Sequence, residues 1–135
     1  MEKVRVLAAD KLAAEGLAVL QADDQVEVDV KTGLSEDQLA EIVGQYDGLI
    51  VRSGAKVTAK VLRNPGRLKA VARAGVGVDN VDVPVATAAG ILVMNTPEGN
   101  TLSTAELTLA LMLSMLRQVP AATASLKKGE WERSK

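Results

Sequence analysis

The sequence predicts an α/β domain with a parallel sheet, because short apolar segments alternate with segments of helical periodicity over residues 1–98. Five strand-like segments are separated by four helix-like ones, in the order βαβαβαβαβ. Right-handed crossovers between parallel strands then place helices on both faces of the sheet. Five strands in one such unit predict a flavodoxin-like strand order, 2-1-3-4-5.

The first two strands are predicted at Val4–Ala8 and Val26–Val30. The segment between them, 11–21, carries apolar residues at helical spacing and predicts the first helix. In the second strand valines alternate with acidic residues, which is typical of a half-exposed strand at the edge of a sheet.

The middle of the unit contains a helix start that is visible in the sequence. Ser35 and Gln38 have the spacing of a capping box, so a helix is expected to begin after Ser35. A third strand follows at Gly48–Val51, and Thr58 is expected to cap a short helix whose inner face carries Val61 and Leu62.

Two further strands are predicted at 68–72 and 91–94. Between them Asp82 precedes Pro84, which is tolerated in a first helical turn, and the helix is expected to stop at Gly90.

The segment Thr101–Val119 is apolar on almost all sides from Leu107 onward. A helix of this kind is normally enclosed, and the plain interpretation is a core helix. We favour a helix that packs against something this chain lacks, or against a second copy of the chain, which would give a homo-oligomer. Pro120 is expected to break it, and a short helix at 121–128 completes a C-terminal helical extension.

The composition excludes several functional classes. The net charge is −1, so no nucleic acid or acidic membrane partner is expected. The absence of cysteine and histidine removes thiolate chemistry, histidine acid–base catalysis and the usual metal ligands, and no metal site is predicted. No apolar run is long enough to span a bilayer, and a soluble, cytoplasmic protein is expected.

Residues suited to anion binding follow three of the predicted strands. Arg52 and Ser53 end the third strand, the segment Arg73–Asn80 with Gly75 and Gly77 follows the fourth, and the segment 95–100 follows the fifth. Ligands of such sheets bind beyond the carboxyl ends of the strands. The alternative is that both arginines are surface charges paired with Asp10, Asp79 or Glu98.

A set of short motifs resembles one family. The motifs are Val51-Arg52-Ser53, Val57-Thr58, Arg73-Ala74-Gly75-Val76-Gly77-Val78-Asp79-Asn80-Val81-Asp82, Asn95-Thr96-Pro97, Gly99-Asn100 and Leu126-Lys127-x-Gly-Glu130-Trp131-x-Arg133. Together they resemble the amino-terminal part of the phosphoglycerate-oxidising branch of the NAD-dependent D-2-hydroxyacid dehydrogenases. The resemblance covers essentially the whole chain.

The resemblance implies that the two parts of the chain have different roles. Residues 1–98 would form the substrate-binding domain, and residues 99–135 a crossover and dimerisation helix with a tail that leads toward an NAD-binding domain absent from this sequence. It implies that no catalytic residue lies in this chain. A complete Gly-x-Gly-x-x-Gly fingerprint is absent, since Asn80 stands where the third glycine is needed.

The resemblance also assigns substrate-binding roles to individual positions. Arg52 and Ser53 would hold the carboxylate or phosphate of a small phosphorylated hydroxy acid, and Arg73 would either bind the anion itself or support the residues that bind it. The backbone of Gly75-Val76-Gly77 would face the substrate, and Val76 would also contact the nicotinamide of NAD. Arg133 would reach a neighbouring subunit's phosphate site, although a solvated tail charge is an equal alternative.

These implications lead to two competing functions. The first is the substrate-binding half of a dehydrogenase that oxidises 3-phosphoglycerate with NAD on the way to serine, inactive as an isolated chain and binding no NAD alone. The second is a stand-alone or engineered small-anion-binding module that self-associates through Thr101–Val119. A signalling receiver domain requires an acidic cluster after the first strand and an aspartate at the end of the third. It is disfavoured, because only Asp10 follows the first strand and Arg52-Ser53 ends the third.

Overall fold

The computed structural model describes residues 2–131, which form two compact units divided between Gly99 and Asn100. In the first unit the strands are β1 (Val4–Ala8), β2 (Val26–Val30), β3 (Gly48–Val51), β4 (Ala70–Arg73) and β5 (Leu92–Asn95). All neighbouring pairs are parallel, and the order is β2-β1-β3-β4-β5. The predicted flavodoxin-like fold class is confirmed.

The helices of the first unit are α1 (Ala14–Gln21), α2 (Glu36–Ile42) and α3 (Val83–Ala88), with short 3₁₀ turns at Val43–Gln45 and Val61–Arg63. The predicted capping box is present, because the Ser35 hydroxyl accepts from the Gln38 N–H at 3.2 Å and the Gln38 side chain accepts from the Ser35 N–H at 2.9 Å. Asp82 caps α3 by accepting the Val85 N–H at 3.2 Å.

One face of the sheet is buried beneath α2, α3 and the 3₁₀ turns. Alternate residues of the strands point to this face, as the two-residue strand period requires. The core consists of the following buried residues: Leu7, Ala9, Leu39, Val43, Tyr46, Leu49, Val51, Ala55, Val57, Val61, Leu62, Leu68, Val71, Val81, Ala86 and Ile91. Burying one such valine or leucine fully contributes about 1.5–3 kcal/mol, so this face supplies most of the stability of the unit.

The opposite face is covered much less completely. The β1–β2 crossover runs in the opposite direction along the sheet from the other three, so right-handed connections place α1 alone on that side. No residue of α1 is buried. An apolar groove of about 410 Å³ remains beside Leu20 of α1, lined among others by Ile50, Ala72 and Met94.

Several predicted boundaries differ from the observed ones. The first helix begins at Ala14 rather than at residue 11, and β4 and β5 begin at Ala70 and Leu92, later than predicted. Thr58 does not cap an α-helix: its hydroxyl accepts the Lys60 N–H at 3.2 Å, and only a 3₁₀ turn follows.

The second unit contains α4 (Thr101–Leu116) and α5 (Val119–Lys127). The helices separate at Gln118, which adopts a left-handed conformation with φ of 51°, so the break precedes Pro120, which lies in the first turn of α5. No residue of α4 is buried. Within residues 2–131, no single helix is long and apolar enough to cross a membrane; α4 and α5 together have the length and composition, but they are bent by 65°.

Candidate functional site

The carboxyl ends of β1, β3, β4 and β5 lie side by side, and the predicted anion-binding loops leave the sheet there. In the parallel register Ala8 pairs with Ile50, Val51 with Arg73, and Arg73 with Asn95. The segment after β3 therefore lies between the exit of β1 and the glycine loop after β4.

Asp10 binds two backbone N–H groups of the segment after β3. Its carboxylate Oδ2 accepts the backbone N–H of Arg52 at 2.7 Å and that of Ala55 at 3.0 Å. A Cβ at Gly54 would overlap the other carboxylate oxygen of Asp10, so this close approach requires glycine.

Asn80 binds two backbone carbonyl groups of the same segment. The Asn80 amide Nδ2 donates to the backbone carbonyl of Arg52 at 2.7 Å and to that of Ala55 at 2.7 Å. The Asn80 backbone carbonyl accepts the Val57 N–H at 2.8 Å, which fixes Asn80 to the chain beyond the segment.

The glycine loop after β4 is anchored to the end of β5. The Gly75 carbonyl accepts the Thr96 N–H at 3.0 Å, and the Val76 carbonyl accepts the Asn95 Nδ2 at 2.6 Å. The Arg73 guanidinium lies against Gly75, in space that a side chain there would fill. Within the described part of the chain, the buried Arg73 Nε has no hydrogen-bond partner.

A cleft of about 600 Å³ opens between these loops. It is lined by Ser53, Lys56, Val57, Thr58, Asp79, Asn80, Val81 and Asp82. Ser53 thus supplies a hydroxyl and Lys56 a cation to the same cleft. Among these lining residues Lys56 is the cation, and Asp79 and Asp82 are anions.

The predicted substrate residues fall into two groups and one remainder. Arg52 and Ser53 lie on the segment after β3, and Arg73, Gly75, Val76 and Gly77 lie on the adjacent loop; Arg133 lies outside the described residues. The Arg52 Nη1 donates to the Lys11 carbonyl at 3.3 Å.

The alternative in which the two arginines serve only as ion-pair partners is not supported. Neither Arg52 nor Arg73 forms an ion pair with any carboxylate among residues 2–131. Asp10, one of the suggested partners, instead binds backbone N–H groups. Neither cation is therefore neutralised by a carboxylate of the described residues.

The residues of this chain do not fit a dinucleotide cradle. The third glycine position is occupied by Asn80, whose side chain is bonded to two carbonyls, and the following helix, α3, begins only at Val83. Among residues 2–131 no cluster of acidic side chains could hold a metal ion. The arrangement is suited to binding and orienting a small anion.

Comparison with known proteins identifies the family. Residues 6–129 match the family model described as D-isomer specific 2-hydroxyacid dehydrogenase, catalytic domain. The chain belongs to this family of D-2-hydroxyacid dehydrogenases.

Relatives within the family share its fold and much of its sequence. The chain is 48% identical over 129 residues to D-3-phosphoglycerate dehydrogenase of Synechocystis, covering 96% of this chain and 23% of the relative. It is 50% identical over 131 residues to the Homo sapiens D-3-phosphoglycerate dehydrogenase, covering 97% and 24%. The chain thus spans about a quarter of the length of these curated relatives.

Solved structures agree with this membership. A Thermus thermophilus protein matches with a TM-score of 0.80 at 35% identity, over 98% of this chain and 43% of that one. An NAD⁺-bound 3-phosphoglycerate dehydrogenase from Entamoeba histolytica matches with a TM-score of 0.71 at 25% identity, over 83% and 39%. In this family fold, the loops described above occupy the edge where ligands of such sheets bind.

Three features of the site were not predicted as functional from the sequence: Asp10, Gly54 and Lys56. Asp10 could have been found from the strand order, because β1 lies next to β3 and its exit must then lie beside Arg52. Gly54 and Lys56 carry no comparable signal, since their roles depend on how the segment after β3 turns.

Proposed function

We propose that this chain is the substrate-binding portion of a D-3-phosphoglycerate dehydrogenase, an enzyme that oxidises 3-phosphoglycerate with NAD on the way to serine. The observation that carries the proposal is that Arg52 and Ser53 meet the Arg73–Gly77 loop at one sheet edge, with both arginines free of ion pairs to described carboxylates. The names of the relatives support this choice of substrate.

Each proposed contact follows from side-chain chemistry. Arg52 offers a planar cation that can bind a carboxylate or phosphate through two parallel hydrogen bonds, and Ser53 adds a hydroxyl. Without a Cβ at Gly75 and Gly77, the loop backbone can approach the ligand closely. Val76, 37% exposed, would form an apolar wall toward substrate and nicotinamide.

The remaining parts of the reaction are assigned to residues outside this sequence. The 135 residues contain no histidine, and general acid–base catalysis needs a group that titrates near neutral pH. When bound, NAD would accept the hydride, and its cradle would be built by the larger part of the relatives' length. Arg133 would reach the phosphate site of a neighbouring subunit. We also propose a cytoplasmic location for the enzyme.

An NMR titration tests the proposal directly. The ¹⁵N-labelled chain is titrated with 3-phosphoglycerate to about 10 mM, beside the variants Arg52→Ala and Arg63→Ala. Arg63, on the 3₁₀ turn, is an exposed arginine away from the cleft and serves as the matched control. We expect shifts at 52–56 and 73–80 that Arg52→Ala abolishes and Arg63→Ala preserves. Absence of shifts in the wild-type chain would contradict the proposal.

A second candidate, a self-associating anion-binding module, is favoured by one observation on α4. Every leucine between 102 and 116 is more than half exposed, and a continuous apolar surface of this kind marks an interaction site. The occupant we propose is a second copy of Thr101–Val119. This module would bind inorganic phosphate as tightly as 3-phosphoglycerate, whereas the dehydrogenase portion would prefer the latter.

A further inference from the structure

We propose that Asp10 and Asn80 are a pair of positioning residues that hold residues 52–55 in the conformation that presents Arg52 and Ser53 to the anion. The inference rests on the proposed function, since it concerns the same site. Asp10 and Asn80 need not touch the ligand, but we expect both side chains to increase the affinity of the chain for it.

The geometry is reciprocal. Asp10 accepts the N–H groups of Arg52 and Ala55, and Asn80 donates to the carbonyls of the same two residues. All four distances lie between 2.7 and 3.0 Å. One acidic and one amide side chain therefore fix both ends of a four-residue segment, and Ser53 and Gly54 form its turn.

The side chains of Asp10 and Asn80 provide hydrogen bonds to a segment that lies beyond the end of β3. β3 ends at Val51, and beyond the ladder no described residue forms a backbone–backbone hydrogen bond with residues 52–55. Both anchors belong to fixed parts of the chain: Asp10 follows Ala9, whose N–H donates to Ile50 at 2.9 Å, and the Asn80 carbonyl accepts the Val57 N–H at 2.8 Å. Without the pair, residues 52–55 would form no backbone hydrogen bond beyond the ladder in the described structure, and the packing of Ala55 in the core would remain.

Gly54 is the third residue on which this arrangement depends. Any side chain at position 54 would displace the Asp10 carboxylate, because a Cβ there overlaps its Oδ1. Gly54 has no positive φ, so its role is to leave room for Asp10 rather than to permit an unusual backbone. This separates the effect on the carboxylate from an effect on backbone strain.

Ordering of the segment before the ligand arrives should increase affinity. A mobile loop must lose conformational freedom when it binds, and this loss weakens the complex. With Asp10 and Asn80 in place that freedom is already lost in the ligand-free chain. Removal of either side chain should therefore lower affinity even in molecules that remain folded.

The control for a merely structural role is Asp47. Like Asp10 it accepts a backbone N–H, that of Arg5 at 3.0 Å, but it also binds Arg67 and lies at the opposite end of β3. Loss of Asp47 should destabilise the first unit without altering residues 52–55. It therefore separates loss of stability from loss of positioning.

The experiment compares the full chain with Asp10→Ala, Asp10→Asn, Gly54→Ala, Asn80→Ala and Asp47→Ala. For each we measure the affinity for 3-phosphoglycerate per folded molecule and amide hydrogen exchange at Arg52 and Ala55. We expect Asp10→Ala, Gly54→Ala and Asn80→Ala to weaken binding about tenfold and to accelerate exchange at these amides. Asp10→Asn, which keeps an acceptor oxygen, should retain most of the affinity, and Asp47→Ala all of it.

The possible failures differ from one another. If the wild-type chain binds and Gly54→Ala and Asn80→Ala, both folded, bind equally well, the positioning role is overturned while the proposed function stands. If affinity falls equally in Asp47→Ala, the effect is one of stability and the inference is likewise overturned. If the wild-type chain binds neither 3-phosphoglycerate nor inorganic phosphate, both the proposed function and this inference are overturned.

Discussion

The guanidinium of Arg73 lies over Gly75, within the space that a side chain at position 75 would occupy. The arginine therefore folds back onto its own loop, and its cation lies beside the backbone that is proposed to face the substrate. This relationship makes Gly75 a determinant of where the charge of Arg73 is placed.

Gly75→Ala should change ligand binding without unfolding the chain. A new Cβ would force the Arg73 guanidinium, the flexible end of a long side chain, to move, and the backbone of Gly75 has no positive φ to strain. We expect the free energy of unfolding to change by less than about 0.5 kcal/mol while the affinity for 3-phosphoglycerate falls. Thermal unfolding and an NMR titration measure the two effects.

Gly16→Ala is the matched control for that substitution. A Cβ at this position of α1 would meet nothing within 4 Å. It should stabilise the chain by up to about 1 kcal/mol through helix propensity and leave affinity unchanged. An equal loss of affinity in both variants would contradict a specific role for Gly75.

Acid should destabilise the first unit through Asp47. The N–H of Arg5 and the guanidinium of Arg67 hold the pKa of Asp47 below its usual value. The resulting stabilisation is fully present above the unfolded pKa, near 4, and is lost as the pH falls through the lower folded pKa. Denaturant unfolding between pH 7 and pH 2 should show this loss, and Asp47→Asn should reduce its pH dependence.

Charge on α4 should reduce self-association. Leu109 and Leu113 lie one helical turn apart and are both about 60% exposed. A Leu109→Glu/Leu113→Glu variant should shift the chain toward monomer in analytical ultracentrifugation, because the buried carboxylates would oppose an apolar interface. Thr104→Glu adds a charge on a different face of α4 and is the control. A wild-type chain that is monomeric at high concentration would contradict the proposed partner.

The isolated chain should not oxidise 3-phosphoglycerate. Its sequence includes no histidine, and residues 2–131 form no dinucleotide-binding turn, so substrate positioning alone leaves the proton and hydride without acceptors. Absorbance of NADH at saturating substrate and NAD should stay at background. Turnover that survives repurification and is lost in Arg52→Ala would contradict this expectation.

The strand order was predictable because alternation, crossover handedness and the half-polar pattern of Val26–Val30 all indicate the same sheet. The capping box at Ser35 was predictable because it depends on residues three apart. The strand order places Asp10 beside Arg52, but the hydrogen bonds of Asp10 and Asn80 were not predictable, because they join residues 25 to 45 positions apart through side-chain reach. The helix break at Gln118 was also missed, because Pro120 is compatible with a first helical turn and the preceding residue carries the unusual backbone conformation.

The uneven distribution of crossovers over the two sheet faces has a consequence for how substitutions are tolerated. In β3 and β4, Leu49, Val51 and Val71 are almost fully buried, whereas their neighbours Ile50 and Ala72 face the side on which α1 lies in the first unit. Mutational sensitivity along these two strands should therefore rise and fall with every second residue. In β3 and β4, the α1 side of the sheet should therefore accept substitutions that the core side does not.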